Sequence, residues 1–552
     1  MRASVNFTSQ EGYHIRSITL VGYEFTSTLQ LTLKRSITNL MIIKQDGSTK
    51  INDHFKNLMM NNRDIKLDDP ILDFDQDNPR DFVVARDFLR GCGIFGGTGS
   101  GKTSSSGRAI AMEFLKYGMG GLVLCAKPEE RYHWEWLAKK CSREKDLIIF
   151  DEKSKYRFNP FQYEVTRKGK GAGATFNLVN LLMILYQMGR TITGQGAAHD
   201  GERFWDTALK RLVGRVIELL KLACEKVSIS NMHAVITSTL TREERAAMDD
   251  LMEKNDETVI MKKLEKWGEE NFYIRCLCNA TKHLIKEEGS KGYNSLVRQY
   301  HLVKNYFNRE FALLAERTKT IIVESFLGVV EPFLGGILYE YFANETNIYP
   351  EWIEEGKIII IDFPIKEYME LGVYAQGIFK YLTQQALERR KFKEGDMPAF
   401  LWIDEAHFFL NSEYDQLFLT TSRSSGTCVC LITQNISNFY AAIGGRNPKP
   451  KVDSLLGLLA VKIFHNNSDP VTNNFAAESI GKYFKSVGGI SAGQYNNINL
   501  NQQLHYQVDP REFTVLKTGG QLNDFEAEAI ITVAGKVWSN DKNFIKTKFS
   551  QK

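Results

Sequence analysis

Residues Gly96–Thr103 read GGTGSGKT and match the phosphate-binding pattern G-x-x-x-x-G-K-[ST]. Glycines let successive backbone N–H groups turn toward a phosphate, and Lys102 supplies a compact positive charge for the β- and γ-phosphates. Thr103 offers a hydroxyl to Mg²⁺, so the pattern predicts ATP and Mg²⁺ as ligands. The predicted nucleotide-binding set is the loop with its next residue: Gly96, Gly97, Thr98, Gly99, Ser100, Gly101, Lys102, Thr103 and Ser104.

Two adjacent acids, Asp404 and Glu405, follow the apolar run Phe400–Ile403. A P-loop enzyme needs a Walker B carboxylate at such a strand end. We predict that Asp404 holds Mg²⁺ through water and forms the metal set together with Thr103. Glu405 is predicted to orient or deprotonate the attacking water. The alternative is a pair of acids that faces solvent at the end of a strand.

A second polar residue, Gln434, ends the apolar run that begins at Thr427. It is placed to sense the γ-phosphate, or else to form a simple hydrogen bond at the sheet end. Arg423 precedes the same run and is predicted either to reach a neighbouring subunit's nucleotide as an arginine finger or to form a salt bridge within its own subunit. The predicted catalytic set is therefore Glu405, Lys102, Gln434 and Arg423.

The elements that must position these residues are strands that alternate with helices. The P-loop lies between an apolar segment, Gly91–Phe95, and a helical one, Ser104–Tyr117. Further short apolar runs predict buried parallel strands at Gly121–Ala126, Leu147–Phe150 and Lys357–Asp362. This alternation predicts the α/β class, with a RecA-like core around a mostly parallel sheet.

The chain divides by pattern into four segments. Residues 1–80 are predicted to be a small β-rich region with a polar lead-in, and residues 81–166 the first part of the ATPase core. Residues 167–345 lose the strand pattern and predict an inserted all-α domain. Residues 346–552 complete the core, with a long loop over Gly488–Gln503 and a C-terminal hairpin of Glu526–Val533 and Gly535–Trp538.

Composition limits the function classes. The chain has 552 residues, 43% hydrophobic and 25% charged, and a net charge of only +4, which excludes a basic surface coat but not a local basic groove. It has no run of about eighteen uninterrupted apolar residues and no apolar signal core at the N-terminus. These features predict a cytoplasmic protein without an integral membrane segment. The eight cysteines have no zinc-site spacing and are expected to be reduced thiols.

Several motifs together resemble the HerA–FtsK superfamily of ring motors, and most closely the TraG/TraD coupling ATPases of conjugation and type IV secretion. The resemblance covers about residues 85–552. It is carried by the P-loop, the Walker B pair and these segments: Gly121–Glu130, Phe158–Pro160, Ser422–Gly426 with Thr433-Gln434, Phe464–Asp469 and Pro510–Phe513. It implies a hexameric ring that hydrolyses ATP between subunits and moves DNA through a central pore. Conjugative members usually carry an N-terminal transmembrane anchor, and no such segment is predicted from this sequence.

Three functions remain open from the sequence. The first is an ATP-driven DNA translocase that contacts DNA electrostatically and without sequence specificity. The second is a nucleotide-gated assembly or partner-recruiting ATPase, with a protein partner at the all-α domain. The third is a peptide-secretion motor.

Overall fold

The structure is a computed structural model that describes residues 2–5, 18–21, 66–75, 78–192, 202–393, 395–411, 414–444, 447–491 and 497–552. The chain divides into two compact units, Met1–Arg63 and Asp64–Lys552. In the first unit, β1 (Arg2–Val5) pairs antiparallel with β2 (Ile18–Val21). The alternating segments Ser17–Tyr23 and Leu29–Leu33 predict antiparallel strands here. The antiparallel strand β2 falls within the first segment, and the second lies outside the described residues.

A nine-stranded sheet organises the second unit. Its order is β15-β14-β11-β5-β10-β9-β6-β8-β7, in which β11 to β7 run parallel and β14 and β15 are antiparallel. The bounds are β5 Cys92–Phe95, β6 Gly120–Leu124, β7 Leu147–Phe150, β8 Ile358–Ile361, β9 Ala399–Ile403, β10 Thr427–Thr433, β11 Val461–Phe464, β14 Glu526–Val533 and β15 Phe544–Ser550. A separate small hairpin pairs β3 (Pro70–Asp73) with β4 (Phe82–Val84). The predicted α/β class with a mostly parallel sheet is confirmed.

The strands are apolar on both sides because helices cover both faces of the sheet. Along β10, Cys428 and Cys430 join one hydrophobic cluster, whereas Val429 and Leu431 join the other. All four isoleucines of Ile358–Ile361 are buried. A continuous apolar run is what a parallel strand covered on both faces requires.

One group of helices surrounds the sheet, and a second group lies between β7 and β8. Around the sheet they are α1 Ala85–Phe88, α2 Arg108–Lys116, α3 Pro128–Lys140, α14 Ile365–Tyr368, α15 Glu370–Arg389, α16 Tyr414–Thr421, α17 Ile436–Ile443, α18 Lys449–Gly457 and α19 Pro470–Ile480. Between β7 and β8 they are α4 Pro160–Thr166, α5 Thr175–Ile192, α6 Glu202–Leu222, α7 Ile229–Thr237, α8 Arg242–Lys254, α9 Glu257–Gly268, α10 Phe272–Lys286, α11 Tyr293–Asn305, α12 Glu316–Val330 and α13 Gly336–Phe342.

The helical region is continuous with the core of the ATPase sheet. Its buried side chains belong to the same hydrophobic cluster as one face of the sheet. Asn159, the helix N-cap at the start of the region, donates from Nδ2 to the carbonyl of Ala343 at its end over 2.7 Å. The entry and exit of the chain are thus held together, as an insertion requires. The exact domain boundaries stay a prediction.

Two sequence predictions near the C-terminus are wrong. The predicted loop at Gly488–Gln503 falls largely within two paired strands, β12 (Lys482–Ser491) and β13 (Asn497–Tyr506). This hairpin has no alternation of apolar and polar residues because, where its side chains are described, both faces meet solvent. In the terminal hairpin, β14 pairs with Phe544–Ser550 and not with Gly535–Trp538. The latter segment leads into a turn, in which Trp538 N–H donates to the carbonyl of Lys542 over 2.9 Å.

In the part of the chain that the structure describes, no single helix is long and apolar enough to cross a bilayer. One pair of helical segments, Glu316–Phe333 and Gly336–Phe342, reaches that length and composition only when joined, and it is bent by 77°.

Candidate nucleotide site

The P-loop leaves the carboxyl end of β5 and enters a helix through one wide turn. Gly99 and Gly101 have φ angles of 74° and 85°, which side chains rarely adopt. At Gly101 a Cβ would also lie 2.8 Å from the Cβ of Ala527. The first turn is a π-helix, Thr103–Gly107, in which Gly107 N–H donates to the carbonyl of Lys102 over 2.9 Å. The helix predicted from Ser104 therefore begins with a π turn and is α-helical from Arg108.

Neighbouring elements hold the outer residues of the loop. Gly97 N–H donates to the carbonyl of Asn466 over 2.8 Å. At the other end, Gln551 Nε2 donates to Ser104 Oγ over 2.8 Å. Because these contacts come from the segments after β11 and β15, the loop is fixed by chain that lies far from it in sequence.

The Walker B acids lie directly beside this loop. Thr103 Oγ1 donates a hydrogen bond to Asp404 Oδ2 over 3.0 Å, and Glu405 N–H donates to Asp404 Oδ1 over 2.8 Å. Burial raises the pKa of Asp404, against the lowering effect of the Lys102 ammonium. Both carboxylates are buried and do not face solvent. The site therefore brings Lys102, Thr103, Asp404 and Glu405 together, as the sequence predicts.

Glu405 is held by a short chain of polar contacts. Its Oε1 accepts from Lys127 Nζ over 2.5 Å and from Gln434 Nε2 over 3.1 Å. Thr98 Oγ1, in the P-loop, donates to Gln434 Oε1 over 3.3 Å. Burial raises the pKa of Glu405, but the hydrogen bonds from Lys127 and Gln434 outweigh it and leave the pKa lowered. Gln434 thus connects the loop to the acid that is predicted to act on water.

The backbone of Glu405 is itself unusual. Its φ and ψ are 45° and 48°, a left-handed conformation that a glutamate seldom adopts. Its second oxygen, Oε2, is buried and forms no hydrogen bond in the described structure. His407 Nδ1 lies 3.9 Å from this oxygen. Strain of this kind persists where surrounding contacts impose it, as is common in active sites.

Two residues of the site were not assigned a role from the sequence. Lys127 and Glu130 lie just after β6, and so reach the same edge of the sheet as the P-loop. Glu130 Oε2 accepts from Ala126 N–H over 2.7 Å. Burial, followed by the negative charge of Asp404, raises the pKa of Glu130 well above its usual range. The one feature that could have indicated a role for Lys127 and Glu130 is their position after β6, the strand that pairs with the Walker B strand β9.

A buried histidine, His465, is hydrogen-bonded to the helical turn that follows the P-loop. His465 Nδ1 faces the carbonyl of Glu528 at 3.0 Å, so this nitrogen carries the proton. Nε2 then accepts from Ser106 Oγ over 2.7 Å. Burial lowers the pKa of His465 to about 4, so the ring is neutral at physiological pH. Gly96 permits this packing, because a Cβ there would lie 2.8 Å from the Cβ of His465.

Arg423 lies away from the other predicted residues. It belongs to the turn that precedes β10, at the amino end of the strand, whereas Gln434 follows the carboxyl end. The side chain is exposed and, among the described residues, forms no ion pair within 4.0 Å. Within one subunit it does not join the P-loop, and the alternative of an intramolecular salt bridge is not observed.

The polar groups at this site suit a nucleotide and a hard cation such as Mg²⁺. Ser100 Oγ is buried without a hydrogen-bond partner in the described structure, and a Cβ at Gly99 would meet nothing within 4 Å. The loop therefore retains both an unused donor and open space. Thr103 Oγ1 and Asp404 Oδ2 are the kind of oxygen ligands that Mg²⁺ prefers alongside water and phosphate. No cluster of three or more His, Cys, Asp or Glu within the described ranges is arranged to hold a metal without such help.

The fold and the site define a P-loop protein with a RecA-like core and a helical domain. Residues 398–508 match the family model described as the TraM recognition site of TraD and TraG. No curated protein sequence matches the chain. The predicted resemblance to P-loop ATPases of the TraG/TraD type is confirmed.

Solved structures show the same fold. The unbound bacterial conjugative coupling protein TrwBΔN70 is 14% identical, with a TM-score of 0.55 and coverage of 86% of this chain and 87% of that one. TrwB with a non-hydrolysable GTP analogue is also 14% identical, with a TM-score of 0.55 and coverage of 90% and 92%. TrwB with a non-hydrolysable ATP analogue has the same identity, a TM-score of 0.54 and coverage of 93% and 96%.

Proposed function

We propose that this protein is an ATP-hydrolysing ring motor that translocates DNA through the central pore of a hexamer. The observation that carries the proposal is the junction of the P-loop with the Walker B acids, where Thr103 and Asp404 are 3.0 Å apart. The match to the TraD and TraG family model and the fold shared with conjugative coupling proteins support DNA as the cargo.

The residues of the site divide the chemistry of hydrolysis among them. Backbone N–H groups of the loop and the Lys102 ammonium bind and orient the phosphates. Thr103 and Asp404 would hold Mg²⁺, which neutralises developing charge on the phosphates when it is bound. Glu405 carries a buried, ionised carboxylate and accepts the proton of the attacking water. Gln434 transmits the state of the loop to Glu405 through its two hydrogen bonds.

Arg423 acts in trans in this proposal. Its exposure, and its distance in the fold from its own P-loop, leave the guanidinium available to a neighbouring subunit. An arginine supplied across an interface can stabilise the charge of the transition state by several orders of magnitude in rate. Hydrolysis would then require assembly, as a ring motor does.

A second function is favoured by one observation. The helical region exposes large apolar side chains, among them Phe176, Ile285 and Leu313. Exposed apolar side chains of this size can contact a protein partner where they lie together in a patch. The alternative is therefore a nucleotide-gated ATPase that recruits a protein, with DNA playing no part in its cycle.

Steady-state ATP hydrolysis separates the two functions. The purified protein is assayed alone, with duplex DNA and with single-stranded DNA, and Glu405→Gln serves as the inactive control. The motor predicts strong stimulation by DNA, and Glu405→Gln should abolish it. Brisk hydrolysis that is indifferent to DNA would contradict the translocase and direct attention to the helical region.

A further inference from the structure

We propose that the β12–β13 hairpin is a nucleic-acid-binding arm, which contacts phosphates through Lys482 and Lys485 and bases through Tyr483 and Phe484. The proposal rests on the proposed function for its choice of ligand. It adds a role in nucleic-acid binding to a hairpin that lies within residues 398–508, which match the family model described as the TraM recognition site of TraD and TraG.

The hairpin has the dimensions of a projecting arm. Ten residue pairs, from Lys482 opposite Tyr506 to Ser491 opposite Asn497, give strands of about 33 Å. Every described side chain over Lys482–Ser486 and Gln502–His505 is exposed. A two-stranded ribbon of this kind has no core of its own and is marginal in isolation, which is consistent with a binding element.

The charge of the arm favours a polyanion. From Ser479 to Val508 the sequence contains no aspartate or glutamate, whereas it contains two lysines, a histidine and many asparagines and glutamines. The whole chain is nearly balanced, at +4 over 552 residues. A segment that selectively lacks acids is therefore a local positive surface, and such surfaces bind phosphates.

Exposed aromatic rings supply the second element of recognition. Phe484 is 70% exposed and Tyr483 is 46% exposed. Because side chains alternate along a strand, the two rings lie on opposite faces of the ribbon, each near a lysine: Lys485 shares the face of Tyr483, and Lys482 that of Phe484. Aromatic rings interleaved with cations stack on unpaired bases while the cations bind the backbone. We therefore choose single-stranded nucleic acid as the ligand.

The chain segments that flank the hairpin connect to the nucleotide site through hydrogen bonds. The hairpin begins after α19, and Gln507 N–H closes its base on the carbonyl of Gly481 over 3.0 Å. Asn466 precedes α19, and its carbonyl accepts a hydrogen bond from Gly97 N–H of the P-loop. Its Nδ2 donates to the carbonyls of Thr514 and Leu516, which follow the second strand of the hairpin.

A second residue repeats this connection. Asn467 Nδ2 donates to the carbonyl of Gln434 over 2.8 Å, and Asn467 N–H donates to the carbonyl of Phe513. The P-loop and Gln434 are thus joined, through two adjacent asparagines, to the chain segments that precede and follow the arm. This arrangement would let ATP turnover move a bound strand.

The test is fluorescence anisotropy of a labelled 30-nucleotide single strand with the full-length protein. Lys482→Glu/Lys485→Glu should weaken binding at least tenfold and reduce the slope of log affinity against log salt by about 1.4, for two lost phosphate contacts. Tyr483→Ser/Phe484→Ser should weaken binding about tenfold without changing the slope. The matched control is Lys262→Glu/Lys266→Glu on α9, where both lysines are exposed, and it should bind like the wild type.

A cross-link avoids dependence on variants that fail to fold. Ser486→Cys, coupled to a photoreactive group, leaves the arm's lysines and rings intact and should cross-link the oligonucleotide. If the wild type binds DNA but the arm variants bind it equally well and no cross-link forms, the arm is not the contact and the proposal is overturned, while the motor stands. Loss of a protein partner with DNA affinity unchanged would overturn it equally. If the wild type binds no DNA, the DNA motor itself fails.

Discussion

The ion pair between Lys127 and Glu405 should contribute measurably to the stability of the nucleotide site. We consider Lys127→Met, which keeps most of the side-chain length and removes the charge. Glu405 is only 2% exposed and would then retain a single hydrogen bond, from Gln434, to its buried carboxylate. A buried charge that loses its partner keeps its desolvation cost, so the variant is expected to be less stable.

The magnitude follows from the geometry. A charge-assisted hydrogen bond contributes about 1.5–3 kcal/mol. Lys127 is 33% exposed, and solvent screens its charge, so we take the lower end. The coupling energy between Lys127→Met and Glu405→Gln is therefore expected to be about 1.5 kcal/mol at pH 7.5. Because the pKa of Glu405 is lowered in the folded protein, this contribution is present above the ordinary glutamate pKa of 4.5 and is lost as pH falls below it.

The assay is a double-mutant cycle in urea, followed by tryptophan fluorescence, with Trp402 in β9 as the nearest reporter. The four proteins must share one m-value for their midpoints to be compared. Lys357→Met is the control for a lysine of similar exposure, since Lys357 is 34% exposed, pairs with the partly exposed Asp146 and lies outside the site. Coupling below about 0.3 kcal/mol at pH 7.5, or coupling unchanged at pH 4, would refute the reasoning.

Three further predictions concern the framework around the site. Lys380 and Asp415 form an ion pair whose side chains are 3% and 5% exposed. Lys380→Met should therefore lower the free energy of unfolding in urea by about 3–5 kcal/mol, and adding Asp415→Leu should restore most of it. No recovery in the double variant would contradict the assignment of a buried ion pair. Gly101→Ala should abolish binding of a fluorescent ATP analogue, because of its φ of 85° and the contact with Ala527, and retained affinity would argue against the loop geometry. Burial lowers the pKa of His465 to about 4, so protonation between pH 7.5 and 5.5 favours the unfolded chain. The free energy of unfolding should therefore fall by roughly 1.4 kcal/mol over this range, and His465→Gln should lack this pH dependence.

The sequence predicted the parts of the site that depend on a short motif or a buried strand. Local chemistry specifies the glycines and Lys102 of the P-loop. The acids Asp404 and Glu405 are specified by their position directly after the apolar strand β9. Cys428 and Cys430 alternate within an apolar run, which predicts that they share one face of a strand, and both pack in one hydrophobic cluster. Parallel order brings the carboxyl ends of such strands together, so the predicted residues meet.

The parts that the sequence did not predict depend on tertiary contacts. Lys127 lies in a segment whose letters give no reason to expect a bond to Glu405, since the contact exists only because β6 and β9 are neighbours in the sheet. The left-handed backbone of Glu405 is likewise invisible in its residue type. The segment Gly488–Gln503 predicts a loop because its glycines and amides carry no apolar face. The predicted partner of β14, Gly535–Trp538, is wrong because Trp538 is buried in a turn.

The most direct test of the central claim is displacement of a third strand from a DNA triplex by the assembled protein. The substrate is a duplex with a labelled triplex-forming oligonucleotide at one end, incubated with ATP and Mg²⁺. The account predicts release of the oligonucleotide by the wild type, and none by Glu405→Gln or with a non-hydrolysable analogue. ATP hydrolysis by the wild type without release, or equal release by Glu405→Gln, would contradict translocation driven from this site.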